Sequence, residues 1–266
     1  MLTVLVIGDV VGKAGRAACT EIVPQLKAEF APDLIIANAE NVAHGKGITR
    51  ATLKDLRDSG VDFFTSGNHV WSKPEVFDIL AEQPTTLLRP ANFPVGSPGQ
   101  GHTILSIAGK SILVINLMGR VFMREHLDCP FRALDAILEQ YAELPLSAII
   151  VDFHAETTSE KNAFGLYADS RVSAVLGTHT HIPTADHRVL PGGTAFTTDI
   201  GMVGVRDSVI GVERECIIAN FVTQLPTKHQ VAEHGIVTFN AVLLRIDETT
   251  GRTTEITRIM REIAIP

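Results

Sequence analysis

The chain has 266 residues, of which 45% are hydrophobic and 20% are charged, values that fit one globular α/β domain. The net charge of −7 and the lack of a basic cluster exclude a general nucleic-acid scaffold, although a nucleotide substrate stays open because a metal site supplies positive charge locally. Three isolated cysteines argue against a disulfide framework or a zinc ribbon, so we expect reduced thiols and a cytoplasmic protein.

The first half of the chain predicts alternating strands and helices. Strands are expected at residues 2–7, 34–37, 61–65 and 86–88, and helices at residues 16–30, from about residue 49, and at residues 73–82. Thr49 suits the N-cap of the second helix, and Pro74 suits the first turn of the third.

The second half predicts hairpins among further strands and helices. The hairpins are expected at residues 103–108 with 111–117, 188–190 with 194–197, and 237–246 with 252–259. Strands are expected at residues 148–152 and 172–176, and helices at residues 131–144, 156–167 and 212–223. Parallel units first and hairpins later favour two mixed sheets packed face to face, with helices outside.

No segment of the chain indicates a membrane partner or a second domain. The apolar stretch at residues 1–11 lacks the basic start of an export signal. No apolar run approaches the roughly 18 residues that a membrane-spanning helix needs. We find no linker, repeat or low-complexity tract, so we expect a single domain over residues 1–266.

Five apolar segments of strand length lead directly into side chains that bind metal ions well. In chain order these side chains are Asp9, Glu40 with Asn41, Asn68 with His69, His154, and His179 with His181. The first three segments are spaced by about 30 residues, the length of one strand–helix–strand unit. Because the carboxyl ends of strands in an open α/β sheet gather along one edge, we expect these side chains to meet there. The set suffices for two metal ions and predicts a dinuclear metal hydrolase.

The strongest single motif is Gly177-Thr178-His179-Thr180-His181. In an extended segment, residues two apart project to the same side, so both imidazoles are expected to face one site. Each candidate also has an ordinary explanation when taken alone, such as a solvated histidine, a turn at Gly67-Asn68 or a helix cap at Asp9. Their joint occurrence at strand ends favours the metal site.

Six stretches of the sequence carry a resemblance to a known family. They are IGDVVGKAGR, ANAENVAHGKGIT, TSGNHVW, VDFHAETTSEK, GTHTHIPTAD and TDIGMVG. They resemble the calcineurin-like metallophosphoesterase superfamily, in particular its YmdB-like branch of 2′,3′-cyclic-nucleotide 2′-phosphodiesterases, over essentially the whole chain. Asp9-Val10-Val11 stands where the wider superfamily has Asp-x-His, and Glu40-Asn41 stands where it has Gly-Asp. The branch shares both departures, which narrows the assignment.

The resemblance implies a four-layer α/β/β/α sandwich and a role for each candidate. One metal ion would be held by Asp9, Asn41, His181 and a bridging Glu40, and the second by Asn68, His154, His179 and the same Glu40. His69 matches the catalytic acid of the family. The resemblance suggests iron or manganese, and mixed nitrogen and oxygen ligands also suit zinc better than magnesium or calcium.

The implied reaction is hydrolysis of 2′,3′-cyclic nucleotides to 3′-nucleotides. Two divalent ions outweigh two carboxylates, and the surplus positive charge attracts a phosphodiester while a bridging hydroxide attacks phosphorus. The leaving alkoxide needs a proton, which His69 could deliver. We expect a small nucleotide substrate and no stable nucleic-acid partner, and we leave a homo-oligomer open. The alternatives are a phosphomonoesterase or nucleotidase on the same centre, and a non-catalytic nucleotide-sensing protein.

Overall fold

Two six-stranded mixed sheets form the interior of the protein in the computed structural model, which describes residues 1–266. The first sheet has the spatial order β12 (Thr253–Ile265), β11 (Gly235–Ile246), β10 (Met202–Val205), β1 (Leu2–Val10), β2 (Leu34–Asn38) and β3 (Phe63–Thr65). The second has the order β4 (His102–Ile107), β5 (Lys110–Met118), β6 (Ala148–His154), β7 (Ala174–Thr178), β9 (Ala195–Thr197) and β8 (Arg188–Val189).

Helices lie outside the two sheets. They are α1 (Gly12–Phe30), α2 (Arg50–Ser59), α3 (Val76–Leu80), α4 (Pro130–Gln140), α5 (Thr158–Ala168) and α6 (Arg214–Thr223), with a 3₁₀ helix at Val70–Ser72. Thr49 caps α2 as predicted, because its side chain accepts a hydrogen bond from the backbone N–H of Thr52. None of the helices is both long enough and apolar enough to cross a membrane.

Side-chain alternation along the strands divides the apolar residues into three cores. Val4 and Val6 of β1 face the second sheet and belong to the core between the sheets. Leu5 and Ile7 point the other way and join a core with α1 and α2. Phe153 of β6 belongs to a third core, which includes residues of α4 and α5. This arrangement confirms the predicted two mixed sheets with helices outside, in the order α/β/β/α.

The predicted elements are present in chain order, with differences where local patterns mislead. The helix predicted at residues 73–82 is shorter, because Pro74 keeps Lys73 extended at φ −125° and ψ 130° and α3 begins only at Val76. The strand predicted at residues 86–88 is reduced to one parallel bridge between Leu87 and Phe64. Strand β10 was not predicted, since it has four residues and contains a glycine.

A crossover segment at residues 198–201 joins the carboxyl ends of the two sheets. It leads from β9 in the second sheet to β10 in the first. On one side, the carbonyl of Gly201 accepts the backbone N–H of Asp9, and a Cβ at Gly8 would lie 1.8 Å from that carbonyl oxygen. On the other side, a Cβ at Gly177 would lie 1.7 Å from the carbonyl oxygen of Thr198. Only glycine permits these approaches, which bring the end of β1 close to the end of β7.

Candidate metal centre

The predicted site residues meet where the parallel strands end. Asp9 is the penultimate residue of β1, His154 is the last residue of β6, and the others follow β2, β3 and β7. The first sheet supplies Asp9, Glu40, Asn41, Asn68 and His69, and the second sheet supplies His154, His179 and His181. The sequence therefore placed these residues correctly along the edge of both sheets.

Glu40 lies at the middle of the cluster. Its Oε1 accepts a hydrogen bond from Asn41 Nδ2 at 3.1 Å and lies 3.3 Å from His154 Nε2. Its Oε2 accepts the backbone N–H of His69 at 2.9 Å. The side chain is 1% exposed, so both oxygens make their contacts within the cluster and neither reaches solvent.

Two groups of donor atoms lie on either side of Glu40. In the first, Asn41 Nδ2 is 3.1 Å from His181 Nε2, and rotation of the amide would turn its oxygen to the same place. In the second, His154 Nε2 is 2.9 Å from Asn68 Oδ1 and 3.0 Å from His179 Nδ1. Ligand atoms of Glu40, His154 and His179 all lie within 4.8 Å of one another. Donor atoms that each lie about 2.0–2.2 Å from a shared ion are separated from one another by distances similar to these. The second group of donors therefore fits an ion.

Asp9 contributes a carboxylate with an unsatisfied oxygen. Its Oδ2 accepts the backbone N–H of His179 at 3.1 Å. Its Oδ1 is buried without a hydrogen-bond partner and lies 3.9 Å from His154 Nδ1. An unpaired buried polar atom is costly, and a cation would satisfy this oxygen. The donor set and this orphaned oxygen therefore fit a metal centre.

Burial and mutual charge shift the pKa values of these groups. Burial raises the pKa of Asp9 to about 6, against the opposing effect of the nearby histidines. Burial would raise the pKa of Glu40, but the charge of His154 holds it well below its usual range. Burial also disfavours the charged form of His154, yet the carboxylates of Glu40 and Asp9 outweigh it and raise its pKa to about 9. A bound cation would take the place of this proton, so metal binding and deprotonation of His154 are linked.

A chain of hydrogen bonds orients the ring of His154. Its Nδ1 lies 2.9 Å from Thr178 Oγ1, and the Thr178 hydroxyl donates to Asp152 Oδ1 at 2.6 Å. Because the single hydroxyl proton goes to Asp152, the threonine oxygen accepts from Nδ1–H. Nε2 is then the nitrogen that faces the cluster, as expected for a metal-binding histidine with a fixed tautomer.

The other two imidazoles are oriented in the same way by different acceptors. His179 Nε2 lies 2.9 Å from Glu156 Oε2, which leaves Nδ1 facing His154. His181 Nδ1 donates to the carbonyl of Ile210 at 2.8 Å, which leaves Nε2 facing Asn41. The sequence analysis missed Asp152, Thr178 and Glu156 as supporting residues. Two of them lie inside the motifs VDFH and GTHTH, which was the only available signal.

The backbone of the histidine motif differs from the prediction. Strand β7 ends at Thr178, and His179 and His181 have φ values of +101° and +66°. The expected extended segment with both imidazoles on one side is therefore wrong, although both side chains reach the cluster. Left-handed conformations at non-glycine residues cost about 1–3 kcal/mol each. Asp199 offsets part of this cost, because its Oδ2 accepts the backbone N–H of Thr180 at 3.1 Å and the Thr180 hydroxyl at 2.8 Å.

A buried ion pair supports this strained segment. Lys161 Nζ donates to Asp199 Oδ2 at 2.6 Å and to the carbonyl of Thr178 at 2.7 Å, and Lys161 is 1% exposed. Lys161→Met is expected to lower the free energy of unfolding by about 3–5 kcal/mol, because the Asp199 carboxylate stays buried without a counter-charge. Urea unfolding followed by circular dichroism measures the loss. The double variant with Asp199→Asn should recover part of it, and a single variant as stable as the wild type would contradict the expectation.

Gly67 leaves the space that the second group of donors needs. A Cβ at this position would lie 2.3 Å from His154 Nε2 and 2.5 Å from Glu40 Oε2. Gly67→Ala is therefore expected to reduce metal content while the chain remains folded, because the methyl group displaces ligand atoms. Elemental analysis and circular dichroism test this. Gly204→Ala is a matched control, since its Cβ would meet first the flexible Met202 side chain; equal metal loss in both variants would contradict a local effect.

His69 stands apart from the ligand contacts. Its backbone N–H is bound to Glu40, but its ring makes no hydrogen bond to a protein atom. The ring is partly exposed, and burial lowers its pKa while the carboxylate of Glu40 opposes the shift. The imidazole is thus held at the cluster with both nitrogens available to a bound molecule.

Comparison with known proteins gives consistent matches over nearly the whole chain. A family model described as YmdB-like protein matches residues 5–259. A 2′,3′-cyclic-nucleotide 2′-phosphodiesterase of Bacillus subtilis (strain 168) is 48% identical, covering 97% of this chain and 97% of its own length. The crystal structure of a novel phosphatase of Mycoplasma pneumoniae superposes with a TM-score of 0.93 at 34% identity, covering 100% of this chain and 95% of its own. A hypothetical protein from Thermus thermophilus has a TM-score of 0.91 at 43% identity, covering 98% of this chain and 99% of its own.

Proposed function

The chain belongs to the YmdB-like protein family, and from this membership we propose that it is a dinuclear-metal phosphodiesterase that hydrolyses 2′,3′-cyclic nucleotides to 3′-nucleotides. The observation that carries the proposal is the gathering of the donor side chains around Glu40 at the carboxyl edge of both sheets. The substrate class follows the name of the Bacillus subtilis relative.

We propose that the two groups of donors hold one ion each. Asp9, Asn41 and His181 would hold the first ion, Asn68, His154 and His179 would hold the second, and Glu40 would bridge them. The orphaned Oδ1 of Asp9 and the fixed tautomers of the three histidines support this assignment. Iron or manganese is proposed, with zinc as the alternative, because the ligands mix nitrogen and oxygen.

The chain's own residues complete the proposed chemistry. When bound, the ions supply Lewis acidity, which lowers the pKa of water and offsets the charge of the phosphodiester. Neutral Asn and His ligands preserve that positive charge better than further carboxylates would. His69 donates a proton to the leaving 2′-oxygen, and partial burial of its ring lowers its pKa, which makes its protonated form a stronger acid. The hydrogen bond that the backbone N–H of His69 donates to Glu40 would hold this residue beside a phosphate bound at the ions.

Three finer features are also part of the proposal. We propose that residues 1–266 form a single domain. The three cysteines are free thiols, which supports a cytoplasmic location. Helix α6 exposes Ile218, Phe221 and Val222, and a homo-oligomer would cover them.

Metal analysis combined with turnover tests the proposed function. Purified protein loaded with iron or manganese should hold about two ions per chain, since the donor set exceeds what one ion needs. It should convert adenosine 2′,3′-cyclic phosphate to 3′-AMP, identified by chromatography. A preference for p-nitrophenyl phosphate over bis-p-nitrophenyl phosphate would favour a phosphomonoesterase instead. Nucleotide binding without any turnover by the metal-loaded protein would favour a sensing protein.

A further inference from the structure

Four exposed apolar side chains lie on the loops that border the metal centre. They are Val121, Phe122, Ile182 and Ile210. Ile182 directly follows His181, and the carbonyl of Ile210 accepts the hydrogen bond from His181 Nδ1. A centre that recognised only a phosphate would be served by a polar rim. Where such residues form one contiguous patch rimmed by polar groups, they mark a surface that binds an apolar group.

Phe122 follows a loop segment that backbone hydrogen bonds hold beside the second group of donors. The backbone N–H of Gly119 donates to the carbonyl of His154 at 3.0 Å. The backbone N–H groups of Arg120 and Val121 donate to the carboxylate of Glu160 at 3.0 and 3.1 Å. Phe122 therefore lies three residues beyond Gly119, whose backbone N–H is bonded to the carbonyl of the proposed ligand His154.

The conformation of Phe122 is costly for the isolated protein. Its φ is +62°, and 86% of the residue is exposed. A bulky residue in the left-handed region costs about 1–3 kcal/mol, and such residues cluster at ligand sites. No stacking contact of Phe122 with another aromatic ring offsets this cost within the chain. A ligand with a flat apolar face would provide the missing contact.

We propose that Phe122 stacks on the nucleobase of the substrate while the metal centre holds the phosphate. The inference rests on the proposed function in taking the phosphate to the metal ions. Stacking uses the π-face that every base has, so it selects nucleotides over other phosphodiesters without demanding one base. Purines, with their larger face, are expected to bind more tightly than pyrimidines.

Equilibrium binding to the metal-loaded protein tests the contact without requiring turnover. Calorimetry with 3′-AMP and with inorganic phosphate compares a ligand that has a base with one that lacks it. Phe122→Ala should weaken 3′-AMP binding by roughly 5- to 100-fold, the range of base–aromatic stacking, and leave phosphate within about twofold. Phe122→Asn should do the same, because asparagine tolerates the left-handed backbone, and Phe122→Trp should retain 3′-AMP binding. Leu144→Ala is the control, because Leu144 is exposed and apolar and lies before β6, at the opposite edge of the sheet from the metal centre.

Turnover gives the second readout. For adenosine 2′,3′-cyclic phosphate, Phe122→Ala should raise KM; for ribose 2′,3′-cyclic phosphate, which has no base, it should leave KM and kcat unchanged. Equal losses on both substrates, unchanged binding of 3′-AMP, or the same loss in Leu144→Ala would overturn the role of Phe122. A wild-type protein that binds 3′-AMP through Phe122 but hydrolyses neither cyclic phosphate would overturn the proposed function and keep the stacking contact.

Discussion

Glu40→Ala is expected to deplete both metal sites and to remove most of the phosphodiesterase activity. Both carboxylate oxygens of Glu40 point into the cluster, one toward His154 and Asn41 and the other toward the backbone of His69. The alanine variant therefore loses a donor to each proposed ion and the contact that positions His69. Turnover should fall by more than the roughly 10²–10³-fold that follows the loss of one preorganised electrostatic group.

Asp9→Ala provides the comparison for Glu40→Ala. Asp9 belongs to the first proposed site only, so its variant should lose chiefly one ion. Elemental analysis of both variants, purified with the same metal supply, gives the occupancies, and circular dichroism checks that each remains folded. If both variants lost metal to the same extent, Glu40 would not be the bridge.

His69→Ala is expected to separate chemistry from metal binding. The ring of His69 makes no hydrogen bond to the proposed ligands, so the variant should retain both ions and still bind nucleotide. Hydrolysis of 2′,3′-cyclic nucleotides should fall by roughly 10²–10⁴-fold, the usual contribution of a positioned general acid. Bis-p-nitrophenyl phosphate should be affected much less, because nitrophenolate leaves without a proton.

The two substrates distinguish the possible roles of His69. A lost metal ligand would depress both activities together and would lower the metal content. Such a result would make His69 a metal ligand. Unchanged activity on cyclic nucleotides would show that His69 has no role in the reaction. His44→Ala is a suitable control, since His44 is an exposed histidine in the loop that follows Asn41.

The gathering of the candidate side chains was predictable because residue chemistry and position coincide in the sequence. Asp9, Glu40, Asn68 and His154 each end or follow an apolar strand, so residue chemistry and the rule for strand ends select the same positions. The fold was predictable for a similar reason, since alternating strands and helices leave few arrangements. Strand β10 was not predicted because its four residues, one of which is a glycine, are too few to show a hydrophobic periodicity.

The supporting contacts depend on distant parts of the chain and left weaker signals. The turn at His179 and His181 is held by Asp199, which is bound in turn by Lys161 of α5. The tautomer of His181 depends on the carbonyl of Ile210, and a backbone carbonyl has no signature in a sequence. Such partners become apparent only once the loops are placed in space.

The crossover at residues 198–201 separates the spacing of the candidate ligands from the composition of the loops around the site. Main-chain contacts of this segment with Gly8 and Gly177 help to set the separation between the candidate ligands from the two sheets. The surfaces that would choose among substrates, such as the loop that carries Phe122, are attached outside this frame. Substitutions in those loops would therefore alter the molecule that is bound while leaving these main-chain contacts unchanged. The cost of this arrangement falls on Gly8 and Gly177, where any side chain would collide with the backbone of the crossover segment.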